Sequence, residues 1–389
     1  MSPQSRRARA VRWGVPVAAI AVVGAAVGAG PVIAAVQGDP SLPDRTAEQL
    51  LAEVAKAAHD RQPPAMSGTL VETASLGLPS LPIPGGTSSS PLSLLSGSHT
   101  IRVWYGGDGR VRLALPGQMS ETDFISTGKG EAWVWESTSN TATRFKLPAG
   151  AKATGLETAH SALPTATTPN ELAAHALKAA ETNTAVTVEN GQHIAGRAAY
   201  QLVLTPKDSS SLVKEVKLAL DGETYVPLRV QVFAKGAAEP AFEVGFTQVT
   251  FSAPAPENFA FTPPAGAKVE EKTIGAAGKD SHELGADHGP LAKEADKPRM
   301  SGSGWGTIVQ MPFSIDDLAK QEAGRENGRG GDPAQMVNSL LKSAKQVSGP
   351  WGSGRVVQSK LVSALLTDDG RLLVGAVTPE ALAEAAGHK

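Results

Sequence analysis

The chain has 389 residues, 41% of them hydrophobic and 19% charged, with a formal net charge of −2. That composition is globular, long enough for one large domain or two modest ones, and lacks the basic balance of a nucleic-acid binder. Cysteine is absent, which excludes disulfides, thiolate metal sites, a cysteine nucleophile and a lipidated cysteine.

Residues 1–12 form a basic stretch, with Arg6, Arg7, Arg9 and Arg12 and no acid. Residues 13–36, from Trp13 to Val36, follow with no charge at all, enough to cross a hydrocarbon core of ~30 Å as a helix. This pair of segments predicts either a retained anchor in the cytoplasmic membrane or a cleaved signal peptide. In both cases the rest of the chain lies outside that membrane.

Thr46 to Arg61 predicts a helix. Thr46 and Gln49 form a capping box, Leu50, Leu51, Val54, Ala57 and Ala58 make one apolar stripe, and Pro63-Pro64 ends it. A strand is expected from Met66 to Ala74. Thr73 to Ser98 then carries no charge but holds Leu76, Leu78, Leu81, Ile83, Leu92, Leu94 and Leu95 among Pro, Gly and Ser. It is either an ordered loop packed on the domain or an apolar flap at the mouth of a cavity.

From His99 to Leu147 the pattern has period two. Ile101, Val103 and Tyr105 alternate with Thr100, Arg102 and Trp104, as do Val111, Leu113 and Leu115 with Arg110, Arg112 and Ala114 after Gly106-Gly107-Asp108-Gly109. Further strands are expected at Phe124–Ser126, Ala132–Glu136 and Thr143–Leu147, which makes an antiparallel meander. Trp133 and Trp135 share one strand face. They either pack a core beneath a helix or line a cavity for an acyl chain.

Thr168-Pro169-Asn170-Glu171 opens a second predicted helix with Leu172, Ala173, Ala176, Leu177 and Ala180 on one side. Strands follow at Ala185–Glu189, Ala198–Thr205, Val213–Leu220, Tyr225–Phe233 and Ala241–Phe251. Residues 275–304 are rich in Gly, Ala and charge and predict a flexible linker. The extension 305–389 should hold a helix beginning at Asp332-Pro333, strands at Val356–Leu366 and Leu372–Val377 about an Asp-Asp-Gly turn, and a last helix from Thr378-Pro379-Glu380.

No constellation for catalysis emerges. His282 and His288 lie six residues apart rather than four and cannot face one metal from a helix, so no metal site is expected. Gly128-Lys129-Gly130 lacks the rest of a phosphate loop, and no serine sits in a G-x-S-x-G elbow. The expectation is a protein that is not an enzyme and uses no cofactor.

The order of segments resembles the LolA-like lipoprotein-carrier superfamily, which includes the N-terminal domain of RseB/MucB regulators. The matching stretches are WYGGDGRVRLALP, GKGEAWVWESTSNTATRFKLP, GRAAYQLVLTPKDSS, VKLALDGETYVPLRVQVF and FTQVTFSAPAPENFAFTPPAGAKV, within residues 44–272. The resemblance implies an α+β fold, a strongly curved antiparallel β half-barrel with helices on its concave face, here with the N-terminal transmembrane or signal helix and a small C-terminal α/β extension. It further implies an apolar groove, for which Leu70, Val103, Tyr105, Leu113, Leu115, Trp133, Trp135, Phe145, Tyr200, Leu202, Leu204 and Leu218 are the inner-face candidates. The implied partners are a lipid or acylated protein, the cytoplasmic membrane through the N-terminal helix or, in the RseB-like alternative, an anti-sigma factor or other envelope protein. A structural envelope protein without a ligand is the remaining alternative; nucleic acid is not expected.

Overall fold

The computed structural model describes residues 42–59, 64–77, 91–128, 130–146, 183–273, 299–313 and 344–387. The uncharged segment 13–36, the second predicted helix and the helix at Asp332-Pro333 lie outside them. Among the described residues no helix is long and apolar enough to cross a membrane.

The first helix, α1 (Ala47–His59), begins as its sequence dictates. The Thr46 amide donates to Gln49 Oε1 at 3.0 Å and the Gln49 amide to Thr46 Oγ1 at 3.2 Å, satisfying two amides that no helical carbonyl can reach. Leu50 is fully buried, and Leu51 and Val54 pack beside it.

Twelve strands follow in chain order: β1 (Met66–Ser75), β2 (Ser96–Tyr105), β3 (Arg110–Pro116), β4 (Glu121–Thr127), β5 (Glu131–Glu136), β6 (Thr141–Lys146), β7 (Thr184–Ile194), β8 (Arg197–Pro206), β9 (Val213–Asp221), β10 (Pro227–Ala234), β11 (Phe242–Thr250) and β12 (Lys268–Thr273). They form one open, curved sheet in the order β12-β6-β5-β4-β3-β2-β1-β11-β10-β9-β8-β7. The expectation of an α+β fold is corrected here: among the described residues the protein is mostly β, and α1 is the one α-helix against this sheet, beside short 3-10 turns at Pro91–Leu95 and Pro256–Phe259.

Neighbours pair antiparallel except β12, which runs parallel to β6. Sequence reading missed β12 because Lys268, Glu270, Glu271 and Lys272 leave only Val269 as an apolar position. Charge holds it instead: Glu271 pairs with Arg144 at 3.2 Å and Lys146 at 2.9 Å. At the tenth strand, Tyr225 falls in a turn rather than in the strand predicted from it. It has a left-handed backbone (φ 57°) and stacks on Tyr200, ring centroids 6.4 Å apart. The turn is built by Asp221, whose Oδ1 accepts from the Thr224 amide and hydroxyl, both at 2.8 Å.

A second, six-stranded sheet joins β13 (Arg299–Ser301), β14 (Ile308–Pro312), β15 (Lys345–Gly349), β16 (Gly352–Gln358), β17 (Ser363–Thr367) and β18 (Arg371–Gly375), ordered β13-β14-β18-β17-β16-β15. The last helix, α2 (Pro379–Gly387), buries Leu382 and Ala386 against Leu365 and Leu373. The single strand expected at Val356–Leu366 is two, because Ser359 turns the chain: its Oγ accepts from the Val362 amide at 2.9 Å. The end of the stretch read as a linker is the strand β13, and β15 was not anticipated.

The second sheet docks on the first. Trp305 joins the core of Leu204, Val213 and Val216, while Leu212 and Ala376 share a backbone hydrogen bond of 2.8 Å. Lys360 reaches the end of β1, its amide donating to the Leu76 carbonyl at 2.7 Å.

Candidate functional site

Directly opposed residues of antiparallel strands share a face, so the pairing register shows which side chains stand together. From β7 to β1 the register aligns Val188, Leu202, Leu218, Val230, Val244 and Glu72 in one row, with Leu204, Val216, Val232, Phe242 and Ala74 in the next. This is the front face. On these strands the reverse face carries a polar network beside the buried Ala199, Val203 and Ala219: Gln201 donates to Glu189 at 2.6 Å, Arg229 to Gln201 at 3.2 Å and Gln231 to Glu243 at 3.1 Å. Burial holds the Arg229 guanidinium below its ordinary value, with Glu243 opposing the shift.

The front face continues through Leu70, Ile101, Val103 and Leu115, then through Leu113 on β3 to Phe124, Val134 and Thr143 on β4, β5 and β6. Its cover is uneven. On β7–β11 it lies under Leu50, Leu51 and Val54 of α1 and under Trp305. On β3–β6 Leu115 is buried, but further along the face the apolar side chains stay part-exposed: Leu113, Val134 and Phe145 are half-buried, and Phe124 is 39% exposed.

Ten of the twelve candidate residues share this face: Leu70, Val103, Tyr105, Leu113, Leu115, Phe145, Tyr200, Leu202, Leu204 and Leu218. Trp133 and Trp135 do not. They oppose Ile125 and Asp123 on β4 and so stand on the reverse side. There Trp133 packs with Ile125, Ala142 and Phe261, its ring 5.4 Å from that of Phe261. Of the two readings of these tryptophans, the geometry matches core packing, with Phe261, just past the 3-10 turn Pro256–Phe259, as the cover. The β3–β6 part of the sheet therefore carries apolar side chains on both sides, those of the reverse side covered and Phe124 of the front side exposed.

The reverse side also holds Asp123, 2% exposed and ion-paired with Arg112. Burial pushes its carboxyl up to about 6 despite that partner. Arg112 lies over the Trp104 ring at 5.5 Å and Arg144 over Trp133 at 5.5 Å, so this face alternates cations and rings.

Three front-face residues escaped sequence reading. Phe124 and Val134 sit in strands that were recognised, but their side follows only from register. Glu72 is 1% exposed, and neither carboxylate oxygen has a hydrogen-bond partner among the described residues. Burial pushes it up to about 7. Its signal was legible: it stands between Leu70 and Ala74 in the apolar phase of β1. Among the described residues no group of three or more His, Asp or Glu is placed to hold a metal.

No family model matches the chain, and no curated protein matches it. In fold the chain is similar to several solved structures. One is the MucA/MucB complex of Pseudomonas aeruginosa, with 17% identity, TM-score 0.39, and 87% of this chain and 96% of that one covered. Another is an uncharacterised conserved protein from Thermus thermophilus, with 11% identity, TM-score 0.33 and coverage of 58% and 99%. A third is a LolA-superfamily protein from Nitrosomonas europaea, with 11% identity, TM-score 0.21 and coverage of 56% and 99%.

Proposed function

We propose that this chain is an extracytoplasmic binding protein that holds the acyl chain of a lipid or lipoprotein against the front face of its large sheet. The observation that carries the reading is the half-covered face itself. An apolar surface runs across the sheet, is sealed by α1 and Trp305 over β7–β11, and is left part-exposed at Leu113, Phe124, Val134 and Phe145. Each methylene buried there contributes ~0.8 kcal/mol, so a modest length of chain is held without any energy source at the site. The reading includes no catalytic step and no cofactor. It takes the uncharged segment 13–36 as a membrane anchor or export signal.

The test is native mass spectrometry of the protein purified without detergent. Co-purifying lipid is expected, and its absence from repeated preparations together with failure to take up added lipid would refute the reading.

A second reading assigns the molecule to a protein partner, an anti-sigma factor or another envelope protein. Two sheet edges favour it. β7 ends the first sheet and β15 the second, and β15 is exposed at four of its five residues. Such edges accept an added strand. Recovery of one membrane regulator at a fixed ratio, with no lipid bound, would select this reading.

A further inference from the structure

The front face has one acid set in its apolar floor. Leu70, Glu72 and Ala74 of β1 point to it together, opposite Phe246, Val244 and Phe242 of β11. On the other side, β1 and β2 pair at both ends, Met66 with Tyr105 and Ser75 with Ser96, which brings His99 level with Glu72. The His99 ring is turned away to the Ser96 carbonyl, 3.0 Å from Nε2. No partner therefore reaches Glu72 from either neighbouring strand, and among the described residues both its oxygens stay bare at 1% exposure.

An unsatisfied buried carboxyl costs on the order of 1–3 kcal/mol or more, and an apolar residue of similar size would make the sheet more stable. Two clusters meet at this position. Val244 belongs to the core beneath α1, and Leu70, Ile101 and Phe246 belong to the core that leads toward the part-exposed half. Glu72 thus stands at the inner end of the apolar track, four strand spacings across from Val134 on β5 and four residues along β1 from the row that Val134 belongs to. At ~4.8 Å per spacing and ~3.3 Å per residue that is ~23 Å, comparable with a long acyl chain.

We propose that Glu72 is the polar anchor of the groove, accepting a hydrogen bond from the donor head group, a hydroxyl or an ammonium, of an amphiphile whose tail lies along the front face. The proposal rests on the reading of that face as an acyl-chain groove. It adds the class of head group. A head that donates satisfies the bare oxygens, whereas a carboxylate head would bring a second acid beside Glu72. Near neutrality the Glu72 carboxyl, lifted by burial to about 7, is present in both forms. A hydroxyl can serve either form, and an ammonium favours the ionised one.

The test uses the full chain in membranes with three photoactivatable alkyl probes of equal length, ending in an alcohol, an amine or a carboxylate. Labelling of front-face peptides is read by mass spectrometry and normalised to labelling of bulk lipid. In the unaltered protein the alcohol and amine are expected to label at least ~10-fold above the carboxylate, since a hydrogen bond to a charged group contributes ~1.5–3 kcal/mol. Glu72→Leu should bring the three probes to within about twofold while melting no lower than the parent. Glu72→Gln, nearly isosteric, should keep the alcohol and lose the advantage of the amine. Equal labelling by all three probes in the unaltered protein, or an unchanged order in Glu72→Leu, overturns the proposal and leaves the groove standing. Front-face labelling by none of the probes overturns the groove as well.

Discussion

The indole N–H of Trp305 donates to the hydroxyl of Thr184 at 2.8 Å, joining residues 121 positions apart in the chain. Thr184 is the first residue of β7, and Trp305 sits in a single turn of 3-10 helix just ahead of β14. One buried side chain thus ties the second sheet to the core of the first. Trp305→Ala is expected to cost ~3–5 kcal/mol, the range for removing a large buried aromatic. It should split thermal unfolding into two transitions and raise proteolysis between residues 273 and 299. A single transition at the original temperature would show that the backbone bonds from Leu212 to Ala376 and from the Thr378 amide to the Ser210 carbonyl (2.8 Å) suffice for docking.

Glu72 makes stability depend on pH with a definite sign. Its carboxyl rises from an ordinary 4.5 to about 7 on folding, because burial disfavours the charge. Between those values the unfolded chain has released a proton that the folded one retains, so stability falls as pH rises, by up to ~1.4 kcal/mol per unit. The full loss, ~3 kcal/mol, is present above pH 7. Asp123, raised from 3.8 to about 6, adds a slope of the same sign at lower pH, and His99 is the titratable group level with Glu72. The measure is accordingly the difference between the parent and Glu72→Gln in denaturation from pH 4 to pH 8. That difference should grow with pH, and a constant one would place the titration elsewhere.

Asp221 acts in the opposite sense. It is fully buried. Burial pushes its carboxyl up, but Arg197 and the Thr224 amide and hydroxyl outweigh this and hold it below the ordinary range. Its contribution is complete above its ordinary value and is lost as pH falls through the lowered one. Asp221→Ala strands Arg197 and opens the turn that carries Tyr225, for a loss of ~3–5 kcal/mol in chemical denaturation. A loss below 1 kcal/mol would mean that Glu223, 2.8 Å from Arg197, takes over the pairing.

The two faces of the β3–β6 part separate binding from folding. Phe124→Asp puts a charge on an open front position and should abolish lipid retention while leaving the circular dichroism spectrum unchanged. Trp133→Asp puts it beneath Phe261 and should unfold this part of the sheet, because a buried unpaired carboxylate costs several kcal/mol. Lipid retention unchanged in Phe124→Asp would take β4 out of the groove.

Much of this was legible in the chain. The Thr46–Gln49 box, the Asp369-Gly370 turn and the alternations through Leu113 and Leu202 each depend on neighbours within a few residues, and each element is found. Which side of β5 shares the front face is a different kind of information. Period two separates Trp133 and Trp135 from Val134, but only the register carried from β3 through β4 to β5 decides which set joins Leu113. The size of the tryptophans pointed to the set that stands on the reverse side. β12 was hidden for a related reason: its partner β6 lies more than 120 residues away, and charge pairs rather than apolar side chains attach it.

That last strand has a consequence for how the molecule behaves in company. An unguarded strand edge is a template on which further copies polymerise. Lys268, Glu270, Glu271 and Lys272 fill this edge with charge of both signs, and β12 itself caps β6. A chain ending at residue 267 would leave Thr141–Lys146 bare, beside a half-sheet that shows part-exposed apolar side chains on its front. Such a fragment should form filaments, while the whole protein stays dispersed.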